Sequence, residues 1–429
     1  DERMANKDYT QMWAGLGIDL EGHDKLLQVL SRAYGDVFLS QQNRPKGMQY
    51  LDFVVSEIHG LRIEELLKQK EAGNLVVGTF CLYVPEEIIL AVGGSCVGLC
   101  AGADIGTQEA EKVLPRNTCA LIKSFMGFKL ANLCPYMEAC DFVVGETTCD
   151  GKKKAYEILD EFKDTLVIEV PQMKSPGDHK FWLGEIYRLK GEIERRSSRP
   201  ITAESLKEAI STVNAKRGAL QRLSRLREAK PAPISGLDAL LINQVQFYED
   251  PRRLTHKINS LCDELEERVA NKVGVTPNGA PRILISGCPM AAPNWKVHFI
   301  VEKSGAGVVA EESCVGERNT RNLVPEDGAT VDEMLRDIAE RYLKIDCACF
   351  TPNPDRIEHI VELSRRFAVD GVIHYALQFC APYTTEAYLV EKALQKERIP
   401  ILKLETDYSA EDVGQLQTRV QAFLELIRN

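Results

Sequence analysis

"NLVVGTFCLYVPEEIILAVGGSCVGLC", residues 74–100, decides the fold class. Its opening "NLVVGTF" (74–80) is a continuous apolar run of strand length. "PEEIILAVGG" (85–94) then reads as a short helix. Pro85 suits the first helical position, Glu86 and Glu87 suit the positive end of the helix dipole, and Gly93 suits the stop. "SCVGLC" (95–100) is a second short strand. Strand, helix and strand in such close succession predict an open, mostly parallel α/β sheet.

The same rhythm continues outward. "ACDFVVGETTC" (139–149) holds a third strand and "DTLVIEV" (164–170) a fourth. From Pro281 a second α/β lobe begins, with "RILISG" (282–287), "GAGVVAEE" (305–312), "YLKIDCAC" (342–349), "DGVIHYALQF" (370–379) and "IPILKLE" (399–405) reading as five strands. Between the lobes the pattern is helical. "TAESLKEAISTVNAKRGALQRLSRLREA" (202–229) has Thr202 as an N-cap and Leu206, Ile210, Val213, Leu220 and Leu223 on one face. The expected organisation is a helical segment over 1–72, a first lobe over 73–175, a helical bridge over 176–280 and a second lobe over 281–429. Both lobes read as flavodoxin- or Rossmann-like open sheets, with no sequence repeat between them.

Composition narrows the function. The 429 residues carry 53 basic and 63 acidic side chains, a net charge of -10, so nucleic acid and anionic membrane are not expected partners. No apolar run reaches the length of a membrane span, and "DERMANKDYTQMW" (1–13) has no apolar signal core, so a cytoplasmic location is expected. Thirteen cysteines in such a chain point to metal ligation or catalysis rather than to a disulfide framework.

Their positions carry the argument. In an open α/β sheet, ligands bind beyond the carboxyl ends of the strands. Cys81, Cys100, Cys149, Cys288, Cys314, Cys349 and Cys380 all follow or end a strand reading. Cys119, in "LPRNTCALIKSFMGF" (114–128), falls in the first turn of a helix, where it reads either as a ligand, since the dipole favours thiolate, or as a small residue packed at the helix start. Cys347 and Cys349 form a C-x-C pair that shares one face if the strand continues through both. Cys262 reads as core, Cys96 as packing within its strand, and Cys134 and Cys140 as either core or ligand. A thiolate-ligated metal site between the lobes follows. Paired zinc knuckles are missing and histidines number only seven, so iron–sulfur ligation, which accepts dispersed cysteines, fits better. No phosphate-binding loop is present. Lys152, Lys153 and Lys154 open a helix, where they oppose its dipole, and read as solvated surface, the alternative being a nearby anion, phosphate or acidic partner protein.

"GTFCLYVPEEIILAVGG" (78–94), "LPRNTCALIKSFMGF", "CPYMEACDFVVGETTCDGKKKAYEIL" (134–159) and "DGVIHYALQFCAPY" (370–383) resemble motifs of the 2-hydroxyacyl-CoA dehydratase and benzoyl-CoA reductase superfamily. The resemblance runs from about Leu75 to the C-terminus. It implies a [4Fe–4S] cluster on three cysteines, matched here by Cys81, Cys119 and Cys380. The extra strand-end cysteines, "CAC" (347–349) and "IPILKLETDYSAEDVGQLQTRVQAF" (399–423) are more similar to the double-cubane cluster proteins, a sister branch. That likeness implies an [8Fe–9S] cluster, a homodimer, a small-molecule substrate and a separate ATP-dependent homodimeric iron–sulfur reductase of the activator type. The further ligands it requires would come from Cys100, Cys314 and one of Cys347 or Cys349, with Cys149 and Cys288 in reserve. A single-cluster dehydratase subunit is the first alternative, and a non-enzymatic electron carrier the second.

Overall fold

The structure, a computed structural model, describes residues 7–428. The first six residues of the expected N-terminal helical segment lie outside them, and with them the start of the stretch read for a signal core. Strands β1 (Val76–Thr79), β2 (Ser95–Gly98), β3 (Phe142–Glu146) and β4 (Thr165–Ile168) form one parallel sheet in the order β2-β1-β3-β4. Strands β5 (Arg282–Gly287), β6 (Gly307–Glu312), β7 (Gly371–Leu377) and β8 (Ile401–Thr406) form another in the order β6-β5-β7-β8. The fold is α/β with two open sheets, as the alternation predicts. The two orders are the same permutation, so the chain carries a structural repeat that its sequence does not display.

The central strands are apolar throughout because both their faces are covered. Val77 of β1 pairs with Cys96 on one side and Phe142 on the other, and it is fully buried. One strand expectation fails. "YLKIDCAC" is the end of a helix followed by turns and loop. Its apolar Tyr342 and Leu343 lie on the buried face of that helix, and the apolar residues that follow face inward from a loop.

The helices that position the site are α1 (Leu20–Tyr34), α2 (Gln49–Ser56), α3 (Leu61–Glu71), α4 (Glu86–Leu90), α5 (Ala120–Leu130), α6 (Asp150–Leu159), α7 (Pro176–Ser197), α8 (Ala203–Leu226), α9 (Gly236–Val245), α10 (Pro251–Ala270), α11 (Val331–Leu343) and α12 (Ala381–Lys396). Helix α8 starts at a capping box between Thr202 and Ser205 and buries Leu206, Ile210, Val213, Leu220 and Leu223. It also ties the two lobes together. Arg217 Nη1 donates to Glu87 of α4 at 2.7 Å, and its Nη2 donates to the Tyr342 hydroxyl of α11 at 2.9 Å. Arg227, just past the helix end, forks onto Glu311 of β6 at 2.6 and 2.7 Å. All of these charges are buried.

Gly287 closes β5 at φ 135°, and a Cβ there would stand 1.9 Å from the Tyr375 carbonyl oxygen. Only glycine fits, and this turn delivers the next residue, Cys288, to the sheet end. Among the described residues, no helix is long and apolar enough to cross a membrane.

Candidate metal centre

Six cysteines occupy equivalent places in the two lobes. Cys81 follows β1 and Cys288 follows β5. Cys100 follows β2 and Cys314 follows β6. Cys149 follows β3 and Cys380 follows β7. In each sheet the strand order reverses direction between the first strand and the third, the place where open α/β folds take ligands. The thiols therefore sit where two switch points face one another.

Side-chain contacts show the convergence. The Cys81 and Cys314 thiols, one from each lobe, lie in hydrogen-bonding reach of each other. Cys119 and Cys380 do the same across the lobes, and Cys380 also reaches Cys288. Cys347 bonds to Cys349 on the loop after α11. Cys100 shares a chamber lining with Cys81 and Cys314, and Cys149 shares a cleft wall with Cys119, Cys349 and Cys380. The candidate ligands Cys81, Cys119, Cys380, Cys100, Cys314, Cys347 and Cys349 thus come together, and the two reserves, Cys149 and Cys288, stand among them. Every cysteine is a free thiol.

The helices deliver thiols by their first residues. Cys119 is the N-cap of α5 rather than part of its first turn, with the Leu121 and Ile122 amides aimed at its sulfur. Cys149 caps α6 and accepts from Lys152 N at 3.4 Å, and Cys380 caps α12. Amide hydrogens directed at sulfur favour the anionic form. Cys347 and Cys349 reach the site from a loop, so they do not share a strand face.

The other four cysteines stay apart from this group. Cys96 lies within β2 beside the Thr79 hydroxyl at 3.7 Å. Cys140 is buried and donates to the Tyr136 carbonyl at 3.1 Å. Cys262 is core in α10. Cys134 borders a small cavity farther out.

Two cations reach the thiols. Arg318 Nη1 stands 3.4 Å from Cys314 Sγ. Hydrogen bonding from Cys81 and the Arg318 charge lower the Cys314 thiol, and hydrogen bonding from Cys349 with Arg318 pulls Cys347 down to about 6. Burial acts on Cys100 in the other direction and pushes it up to about 12. Lys152 is the second cation, and its burial corrects the reading of a solvated lysine run. Its ammonium pairs with Glu146 at the end of β3, and the Tyr156 hydroxyl donates to the same carboxylate oxygen at 2.9 Å. The sequence signal is the placing of lysines against the helix dipole, which a nearby anion offsets, but it does not single out Lys152. Only the arrival of Glu146 behind the helix start does.

Glu312, Asp346 and His359 form a buried acid–histidine group whose ligand atoms lie within 4.8 Å of one another. Arginines occupy it. Arg318 Nε bonds Glu312 at 3.1 Å, Arg356 Nη2 bonds its other oxygen at 3.0 Å, and His359 Nδ1 meets Asp346 at 2.8 Å. With two guanidiniums already balancing these carboxylates, the group serves as a rigid base that holds Arg318 under the thiols. Glu312 therefore takes a structural place. His374 bonds the Tyr383 carbonyl, and the Tyr375 hydroxyl accepts from Asn294 and lies within the charge reach of Cys288, Cys119 and Cys380.

An open cleft of about 1420 Å³ runs along the thiols between the lobes. Cys119, Cys149, Cys349 and Cys380 form its floor. Phe379, exposed at its edge, holds a left-handed φ of 63°, a strained state for an aromatic residue that turns the chain directly before Cys380.

The donor set fits an iron–sulfur group: clustered thiols, two buried cations and helix amides around a dry interior. The family described as 2-hydroxyglutaryl-CoA dehydratase, D-component, matches residues 81–427. The chain is 38% identical over 361 residues to YjiM of Escherichia coli (strain K12), a protein named for a dehydratase, and the match spans 83% of this chain and 93% of that protein. It is 24% identical to the (R)-phenyllactyl-CoA dehydratase beta subunit of Clostridium sporogenes, over 83% of this chain and 93% of that one. It is 22% identical to a benzoyl-CoA reductase subunit of Thauera aromatica, over 82% and 89%. Members of this family are iron–sulfur proteins. The chain belongs to the 2-hydroxyglutaryl-CoA dehydratase D-component family and is an enzyme component of the oxidoreductase or lyase kind.

Proposed function

We propose that this chain is the iron–sulfur component of a reductase and holds a double-cubane [8Fe–9S] cluster. A separate ATP-dependent homodimeric iron–sulfur reductase supplies it with low-potential electrons, and it reduces a small molecule as a homodimer. The observation that carries this reading is the thiol count. One [4Fe–4S] cubane of this family needs three cysteines, and nine converge here. Cys81, Cys119 and Cys380 would hold one set of irons. Cys100, Cys314 and one of Cys347 or Cys349 would hold the other.

When bound, such a cluster supplies stored electrons at low potential. The chain's own groups do the rest. Arg318 and Lys152 set positive charge beside the sulfurs. The first-turn amides of α5, α6 and α12 donate to them. The packed first turns of α5 and α6 keep water from the interior thiols. A bare electron carrier is set aside, because the relatives are enzyme subunits.

A second reading has its own support. The open cleft is roomy enough for an acyl thioester, and several relatives are named dehydratase subunits. A dehydratase subunit would hold one cubane. Anaerobic purification followed by iron and acid-labile sulfide analysis separates the two. About eight irons per chain supports the double cubane, about four supports the dehydratase, and zinc or no metal overturns both. In the first case, Cys100→Ala is expected to lower the iron content. Unchanged iron would remove Cys100 from the ligand set.

A further inference from the structure

Behind the thiols lies a chamber of about 90 Å³, bordered by Cys81, Cys100, Cys314, Phe247 and Val315. A second chamber of about 100 Å³ adjoins it, and Gly98, Cys100, Tyr248 and Ala292 border both. The second runs outward between the first lobe and helices α1 and α2, past Leu26, Leu30 and Val55, to His59 and Tyr136. Neither chamber shares a lining residue with the open cleft. The wall between them is thin and well defined. In α5, Ile122 faces the cleft and Leu121 the inner chamber. In α6, Lys153 faces the cleft and Lys152 the inner chamber.

We propose that the outer chamber is a binding site and entry passage for a small uncharged molecule, which reaches the thiols from the side away from the cleft; the inner chamber, bordered by three of the proposed cluster ligands, is space that the cluster would take. Size sets the first limit. A water molecule occupies about 30 Å³ and benzene fits an apolar cavity of about 150 Å³, so the outer chamber takes a ligand of about three to five heavy atoms. An acyl-CoA is excluded from it. Chemistry sets the second limit. The lining is mainly apolar and most of its polar groups are already engaged, while the buried Tyr136 hydroxyl at the outer end has no partner and offers a small neutral molecule one hydrogen bond. Gln244 donates to the Met290 carbonyl at 2.7 Å and accepts from Trp295 at 2.8 Å. The Cys100 thiol donates to the Phe80 carbonyl at 2.8 Å, and Lys152 is neutralised by Glu146. An ion entering here would lose its water and find no free counter-charge. The third observation is placement. Protein interiors leave few voids larger than a water. Here two adjoin, and the inner one ends on thiols from both lobes.

Use of the passage by substrate rests on the reductase reading above. Binding in it does not. The test uses xenon as the probe, in crystals of the anaerobically purified, iron-loaded full-length protein. Xenon is expected in the outer chamber and not in the cleft. Val55→Trp, which fills the outer chamber, is expected to remove that xenon. It is also expected to slow bleaching of the iron–sulfur absorbance by dioxygen at least threefold, with bleaching by ferricyanide, an anion confined to the cleft, unchanged. Leu241→Phe fills the same chamber from α9 and replaces Val55→Trp if that variant does not fold. No xenon in the outer chamber overturns the proposal. So does dioxygen bleaching at the wild-type rate in a variant whose outer chamber is filled. Xenon in the outer chamber of a chain that holds no iron upholds the binding site and overturns the iron–sulfur reading, so the two failures are distinct.

Discussion

Replacing Glu87 by Gln removes one charge from a junction that joins three helices. Glu87 is fully buried, accepts from Arg217 at 2.7 Å and from the Tyr342 hydroxyl at 2.7 Å, and lies beside Arg341. One carboxylate therefore stabilises two guanidiniums, which are 3% and 2% exposed. Burial and the charge of Arg217 already pull Arg341 down to about 10. Without Glu87 the two cations face each other with no counter-ion. Breaking a buried pair in this way costs about 3–5 kcal/mol. Unfolding entropy near 60 °C is about 2.1 cal/mol/K per residue, so a chain of this length melts with about 0.9 kcal/mol/K, and the expected loss in Tm is about 3–6 °C. Circular dichroism melts of the anaerobic protein measure it. Adding Arg217→Met should recover part of the loss, because the excess charge is then halved. A Glu87→Gln shift below about 1 °C, or a double variant that melts no higher than Glu87→Gln alone, would refute the charge-sharing account.

Three other predictions are independent of that junction. The His23 and His59 rings share one hydrogen bond of 2.9 Å in a buried place, and burial lowers them to about 4 and about 3. Both folded values lie below the unfolded value of about 6.5, so the unfolded chain takes up protons first. Stability is fully present above about pH 6.5 and falls as pH drops toward 4, by about 1.4 kcal/mol per unit for each ring. Urea midpoints at pH 7 and pH 5 measure this, and His59→Gln should flatten the slope. Cys96→Ala should leave iron content at the wild-type level while Cys81→Ala lowers it, and equal losses by elemental analysis would contradict the division between the clustered thiols and the rest. Gly287→Ala should lower stability by at least about 3 kcal/mol, since a Cβ has no room at φ 135°, and a soluble variant with an unchanged urea midpoint would contradict that turn.

Much of the architecture is legible in the chain because the central strands are covered on both faces. "LVVGT" and "FVVGE" are unbroken apolar runs for that reason. The same rule misleads at "YLKIDCAC". A buried helix end and an inward-facing loop present the same residue types there as a strand. Cys100, Cys314 and Cys380 are found from sequence because the strands before them are readable. The Cys288–Cys380 contact is not, since it spans two strands far apart in the chain. The matching places of Cys288 and Cys81 would have pointed to it, but only once the strand orders were known. Lys152 is hidden for a different reason. Three consecutive lysines look alike until the helix turns one of them inward, onto Glu146.

The two halves of the thiol group hang from separate sheets, and no backbone ladder fixes the distance between them. That distance is set by α8, through Arg217 to one lobe and Arg227 to the other, and by single backbone bonds across the lobes, Gly102 N to the Ala292 carbonyl and Thr351 N to the Gln172 carbonyl, each 2.9 Å. The width of the site is thus a compliant coordinate. A small tilt of one lobe changes the separation across the centre while every β-strand register stays intact. Rigid jaws joined by a helical strut and a few direct bonds behave as calipers, and the strut's ion pairs contribute to how stiffly they close.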